Sequence, residues 1–254
     1  MSNPTLDLIH AHGSVRAYKT DPLPDALIET IVAAAQRASS SSNLQAYSVL
    51  AITDAAKRAR LAELCGKQIF IAQAPLFLAW CADLARLDRV CALRGFTQVT
   101  EYLENFLIGA LDVGITAQNA ALAAESLGLG ICYVGSIRNS PREVIELLGL
   151  PRLVFPVVGM TIGYPERAPT IRPRLPLNAI LHRERYNADQ DRALREYDRT
   201  MAATGIYEHR QVPVPGRPGE MEEYGWLEHC ARRVSQVTRA FMREVLREQG
   251  FALK

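Results

Sequence analysis

Apolar residues recur along this chain with two different periods, and the change from one to the other marks out its elements. Leu27, Ile28, Ile31, Val32 and Ala35 fall at helical spacing, so one face of a helix there belongs to a core. "YSVLAIT" (Tyr47–Thr53) and "APLFLAWCAD" (Ala74–Asp83) read as strands, and the second is apolar almost throughout, as a strand covered on both faces must be. Between them a helix starts near Thr53 or Asp54 and stops at Gly66. The stretch from about Thr97 to Leu127 predicts one or two helices. Its segment "LIGALDVGITAQNAALAAESLG" is apolar and rich in small residues nearly all round, which places it in a central core or a subunit interface. Gly128 and Gly130 end it, and "ICYVG" follows as a strand.

Asn3-Pro4 reads as an N-cap with proline at the first helical position, opening a short helix to about Ala11. Ser140-Pro141-Arg142-Glu143 has the form of a capping box, and the helix it opens closes at Gly149. "LVFPVVGMTIGYP" is a further strand in which Pro156 must sit at an edge or a bulge. After Pro165 the character changes. "ERAPTIRPRLP" is a basic, proline-rich loop, helical stretches follow around 176–186 and 189–203, and "RQVPVPGRPG" lacks a core-forming pattern. A final charged helix is predicted from roughly Glu222 to Glu248, with Trp226, Val234, Val237, Phe241, Val245 and Leu246 available for packing. The pattern predicts an α+β core over residues 1–165 and an extension over 166–254 that wraps around something, such as a second subunit.

Composition narrows the function classes. The 254 residues carry a formal net charge of +2, too small to imply a nucleic-acid partner, and the arginines are scattered among acidic neighbours. Five cysteines are odd in number and widely spaced, without CxxC or Cys/His ligand spacing, so free thiols in a reducing compartment are expected and no metal site is. Asp7 interrupts any signal-peptide core, and runs such as "APLFLAW" are too short to span a bilayer, so a cytoplasmic protein without a membrane partner is expected.

Three stretches carry candidate chemistry. In an extended "HGSVR", His12, Ser14 and Arg16 point the same way, and three donors on one face imply a bound anion. Arg172-Pro173-Arg174 places two guanidiniums close together, either as a solvated basic loop or as a clamp on an anion. The run Ser39 to Ser42 is either a flexible loop or a donor cluster. Asp112, inside the apolar helix, fits a capped or interface-paired carboxylate as well as a general base. Neither GxGxxG, GxxxxGK nor GxSxG occurs, which removes support from Rossmann, Walker-type and hydrolase chemistry.

Together, "HGSVRAYKTDPLP", "RASSSSNLQAYSVLAITD", "CGKQIFIAQAPLFLAWCAD", "ESLGLGICYVGSIRNSP" and "GMTIGYPERAPTIRPRLP" resemble, in order and over about residues 4 to 186, the nitroreductase family of FMN-dependent oxidoreductases. Within it the match is to the branch of NADPH-preferring, oxygen-insensitive nitroreductases and flavin reductases. The resemblance implies a three-layer αβα sandwich with a mostly antiparallel sheet, and an intertwined homodimer. It implies that His12 and the pair Arg172 and Arg174 hold the FMN phosphate, with Gly13 and Ser14 beside it and Arg16 on the flavin ring as the catalytic cation. Ser40 would contact the cofactor from the partner subunit, Gln68 would bond the ring system, and Tyr133, Val134, Gly135 and Ser136 would lie along it. Two positions depart from the pattern: Gly13 replaces a basic residue, and Ser136 stands where the branch often has glycine.

The mechanism so implied is ping-pong. NADPH or NADH reduces FMN and leaves, and a nitroaromatic, a quinone or another small acceptor then enters the same slot. Arg16 would stabilise the charge left on the reduced ring. Arg210 is either a solvated loop arginine or the cation for the NADPH 2′-phosphate. Two alternatives stand beside this reading: a flavin reductase that supplies reduced FMN, and a non-catalytic flavin-binding or sensor protein on the same scaffold.

Overall fold

The computed structural model describes residues 3–254. In chain order the elements are α1 (Pro4–His10), α2 (Asp25–Ala35), β1 (Tyr47–Ile52), α3 (Ala55–Leu64), α4 (Ile69–Gln73), β2 (Leu76–Asp83), α5 (Ala85–Arg94) and α6 (Leu103–Ser126). They continue with β3 (Gly130–Val134), α7 (Pro141–Leu148), β4 (Val154–Gly163), α8 (Asp191–Ala202), β5 (Gln211–Pro213), β6 (Met221–Glu223), α9 (Trp226–Val234) and α10 (Met242–Glu248). The chain divides into two compact units, one running through Ile171 and including Arg239–Lys254, the other spanning Arg172–Thr238.

The first unit is built on a four-stranded antiparallel sheet of order β1-β2-β4-β3. Every residue of β2 is buried, and alternate side chains serve opposite faces. Leu76, Leu78 and Trp80 join Ile31, Val113, Ala117 and Ala121 of α2 and α6 on one face. Phe77 and Ala79 join Leu61, Ile71 and Val144 of α3, α4 and α7 on the other. The fold is α+β, with helices on both sides of the sheet. Pro156 lies at the bulge where the β2–β4 register shifts beside Trp80 and Cys81, a position suited to a residue without an N–H for the ladder.

Local signals explain most of the boundaries. Asn3 accepts the Leu6 N–H at 2.9 Å, and Asp54 caps α3 by accepting the Lys57 N–H at 2.8 Å. Gly149 closes α7 at φ 61°, a left-handed conformation that favours glycine. Ser140 does not form the predicted capping box. Its ψ of 66° is far from the extended conformation that aims an N-cap hydroxyl at the first turn, and its side chain makes no cap bond.

Three further expectations change. The single final helix is two, α9 and α10, interrupted by "SQVTRA", where serine and β-branched residues are weak helix formers and Arg239 takes φ 55°. Val245 and Leu246 enter a core with Phe155 and Phe251, whereas Val234 and Val237 are exposed. Around 176–186 only Leu177–Ala179 forms a helical turn, and "RQVPVPGRPG" contributes a strand to the β5–β6 hairpin. Finally, α6 is long and apolar enough to cross a membrane, contrary to the reading from short apolar runs. Here it covers the sheet with a face of small residues, and a Cβ at Gly109 would lie 2.9 Å from the Cβ of Ala82.

Candidate functional site

The segment His12–Tyr18 is pinned to the β3–β4 end of the sheet without being a strand. The Val15 N–H donates to the Ile131 carbonyl at 2.8 Å, and the Glu166 N–H to the Ala17 carbonyl at 3.1 Å. Tyr18 Oη, its phenol pushed far up chiefly by burial, donates to the Val15 carbonyl at 2.7 Å. Having spent its one proton there, it accepts from Thr161 Oγ1, also at 2.7 Å. The predicted alternation is realised: Gly13 and Val15 are buried, His12 is half-buried, and Ser14 and Arg16 are exposed.

Two glycines make this close approach possible. A Cβ at Gly130 would lie 2.5 Å from Val15 Cγ2, and one at Gly13 would lie 2.8 Å from the Pro169 Cβ. The departure from the family pattern at Gly13 thus has a local cause, since Pro169 and Thr170 pass directly over it.

Around the strip the structure adds partners. Arg16 lies 5.9 Å from the centre of the Phe70 ring. Burial raises the Cys132 thiol above its ordinary range, although Arg16 and Ser14 both act to lower it. His12 Nδ1 lies 2.6 Å from Glu125 Oε1.

Near the end of β3, Val134 is buried while Tyr133, Gly135 and Ser136 are half-buried. Gly66 and Lys67, both at positive φ, turn the chain so that Gln68 Nε2 donates to the Cys65 carbonyl at 2.7 Å and to Ser136 Oγ. Ser136 is therefore engaged by Gln68, which accounts for a hydroxyl at this position. Burial pushes the Cys65 thiol up to about 12, with Ser136 opposing. Tyr133 Oη donates to Gln118 Oε1 at 3.3 Å, and its phenol is raised by burial first and by the Glu125 carboxylate second.

The serine run is an ordered loop. Ser42, Asn43 and Gln45 all take positive φ, and the Gln45 N–H donates to Ser40 Oγ at 3.3 Å. Asp112, 1% exposed, holds this shape by accepting the Ser41 N–H at 2.9 Å and the Ala46 N–H at 3.0 Å. Both of its oxygens serve the loop, which settles its reading as a cap.

Arg172, Arg174 and Arg210 belong to the second unit. Arg172 and Arg174 are exposed, and Arg174 Nη1 folds back on the carbonyls of Arg172 and Pro173 at 3.2 and 3.3 Å. Tyr197 fixes this strap by donating to the Pro173 carbonyl at 3.0 Å. Arg210 lies 4.6 Å from the centre of the Tyr224 ring, and Tyr224 Oη is 2.8 Å from His229 Nδ1. Glu125 and Phe70 escaped the sequence reading. One stands at the end of an apolar helix and the other in a short apolar run, and no spacing relates either to the strip.

A sheet with helices on both faces, carrying a strip of outward-facing His12, Ser14 and Arg16 beside β3, defines an α+β protein. The chain belongs to the nitroreductase family: its residues 9–164 match the nitroreductase family, and 172–254 match that family's C-terminal domain. It is 37% identical to the oxygen-insensitive NADPH nitroreductase of Salmonella typhimurium, over 99% of this chain and 100% of the relative. Identity to the FMN reductase (NADPH) of Bacillus subtilis is 34%, covering 98% of each. The solved NADPH:FMN oxidoreductase from Vibrio harveyi, complexed with NAD+, superposes with a TM-score of 0.87 at 34% identity, over 99% of this chain and 100% of that one.

Proposed function

We propose that this protein is an FMN-dependent NAD(P)H oxidoreductase that reduces nitroaromatics, quinones or related small acceptors by two electrons in a ping-pong cycle. The observation that carries this reading is the strip itself: His12, Ser14 and Arg16 face outward because Gly13 and Val15 are locked inward. The donor set fits FMN. Within the first unit His12 and Ser14 suit a phosphate, while Arg16, the Gln68 amide oxygen and the end of β3 from Tyr133 to Ser136 suit a flat ring with polar edges; Arg172 and Arg174 are assigned to the phosphate on the family resemblance. Ser40 is assigned a cofactor contact across a dimer interface.

When bound, FMN supplies the redox centre that accepts hydride from the nicotinamide and passes two electrons to the acceptor. Arg16 provides a fixed positive charge against the negative charge that reduction leaves, preorganised by the bonds that hold its neighbours Val15 and Tyr18. No side chain has to carry a proton for the hydride transfer itself. Arg210 is assigned to the 2′-phosphate of NADPH. We assign cofactor binding to residues 1–165 and treat 166–254 as the extension that brings the phosphate clamp.

A homodimer is part of the proposal. Leu103, Leu107, Leu111 and Ile115 form an exposed apolar stripe along α6, and Phe96 and Val99 lie exposed just before it. We also propose a cytoplasmic location, in keeping with five free cysteines. A flavin reductase that releases reduced FMN is the second reading, favoured by the identity to the Bacillus subtilis FMN reductase (NADPH).

The deciding experiment is anaerobic. The purified protein should take up FMN and turn yellow, and NADPH should bleach it rapidly. Bound colour that NADPH leaves unchanged overturns the enzyme reading, and a protein that takes up no FMN overturns the site. Stoichiometric oxidation of NADPH by added nitroaromatic or quinone, against added free FMN, separates the two enzymatic readings.

A further inference from the structure

Glu125 lies in the last turn of α6, 113 residues from His12, yet its Oε1 is 2.6 Å from His12 Nδ1. The glutamate side chain is 11% exposed and the histidine ring 29% exposed. Among the described residues no other group bonds to the ring, and Glu125 Oε2 is buried without a partner. A buried carboxylate oxygen left unpaired is unfavourable for folding, and a part-buried ion pair is weak evidence of a stabilising role. The arrangement makes sense as orientation. With Nδ1–H committed to a carboxylate, the ring is fixed and Nε2 is its one nitrogen left for a ligand. A phosphate oxygen at Nε2 accepts from an N–H there, so orientation of the ring decides whether that N–H meets the ligand.

We propose that Glu125 is a positioning residue for cofactor recognition. It holds Nδ1–H of His12 and so presents Nε2–H to the phosphate of a flavin mononucleotide. The proposal rests on the reading of His12 as a phosphate ligand and extends it to a residue outside the cradle. Its consequence is selective: Glu125 serves the phosphate and not the flavin ring.

The test compares FMN with riboflavin, which lacks the phosphate, by flavin fluorescence titration of apoprotein carrying Glu125→Gln, Glu125→Leu or His12→Asn. Each Glu125 variant should weaken FMN about tenfold, the loss of one charge-assisted hydrogen bond, and change riboflavin less than about twofold. Melting temperature should stay level or rise in Glu125→Leu. Combining Glu125→Gln with His12→Asn should add little to His12→Asn alone. Unchanged or tighter FMN binding by Glu125→Gln, while His12→Asn loses FMN, overturns the proposal and leaves the phosphate reading intact. Equal losses for FMN and riboflavin make Glu125 merely structural and overturn it too. If His12→Asn leaves FMN binding unchanged, the phosphate reading fails and takes the proposal with it.

Discussion

Two segments carry the cations assigned to the phosphate, His12–Arg16 and Arg172–Arg174, and they are held by opposite means. The first is stitched to the sheet by backbone bonds, a buried tyrosine hydroxyl and two glycine contacts that no side chain could enter. The second is stiffened by Pro173 and fastened by one tyrosine bond, with both guanidiniums exposed. A strip tied down on both sides holds its charge in one place, which is what the role proposed for Arg16 asks of it. A strap fastened through the Pro173 carbonyl, with its guanidiniums exposed, needs only to deliver charge. The difference teaches that damage to the anchoring of the first should appear in stability and binding together and damage to its Arg16 side chain in rate, whereas damage to the second should appear in affinity alone.

The largest effect should come from breaking the stitching. Gly130→Val drives a side chain into Val15 and should cost about 3 kcal/mol in urea unfolding, with FMN binding lost as well. Arg16→Ala leaves the backbone bonds in place, so the fold should survive while anaerobic FMN reduction by NADPH slows about 100-fold in stopped flow. Asp112→Asn removes one of two acceptors from the serine loop and should destabilise the protein by about 2 kcal/mol, read as a lower melting temperature. Arg172→Ala with Arg174→Ala should weaken FMN about tenfold and move stability by less than about 0.5 kcal/mol, both substitutions being exposed. Stability loss as large as that of Gly130→Val would erase the contrast between strip and strap. Smallest is Arg210→Ala, expected to raise KM for NADPH about fivefold and that for NADH hardly at all. Equal shifts for both donors would return Arg210 to the reading of a solvated loop arginine, lying against Tyr224.

Much of the fold was legible because it rests on local rules. The nearly unbroken apolar run in "LFLAWCAD", the caps at Asn3 and Asp54 and the stop at Gly149 each depend on a few neighbouring residues. The long terminal helix failed because pattern weighs apolar spacing, while the break depends on weak helix formers and on which residues find a core. The same limit applied to the capping box at Ser140, where the motif was present and the backbone angle was wrong for it.

The sequence by itself determined the α+β class, the outward alternation of His12, Ser14 and Arg16, and the family to which the chain belongs. Only the tertiary structure decided that Asp112 caps the serine loop, that Ser136 is engaged by Gln68, and that Glu125 grips His12. The physical reason is range. Alternation, capping and turn preference act between residues a few positions apart, whereas these pairings join groups that only packing around the sheet brings within hydrogen-bonding distance.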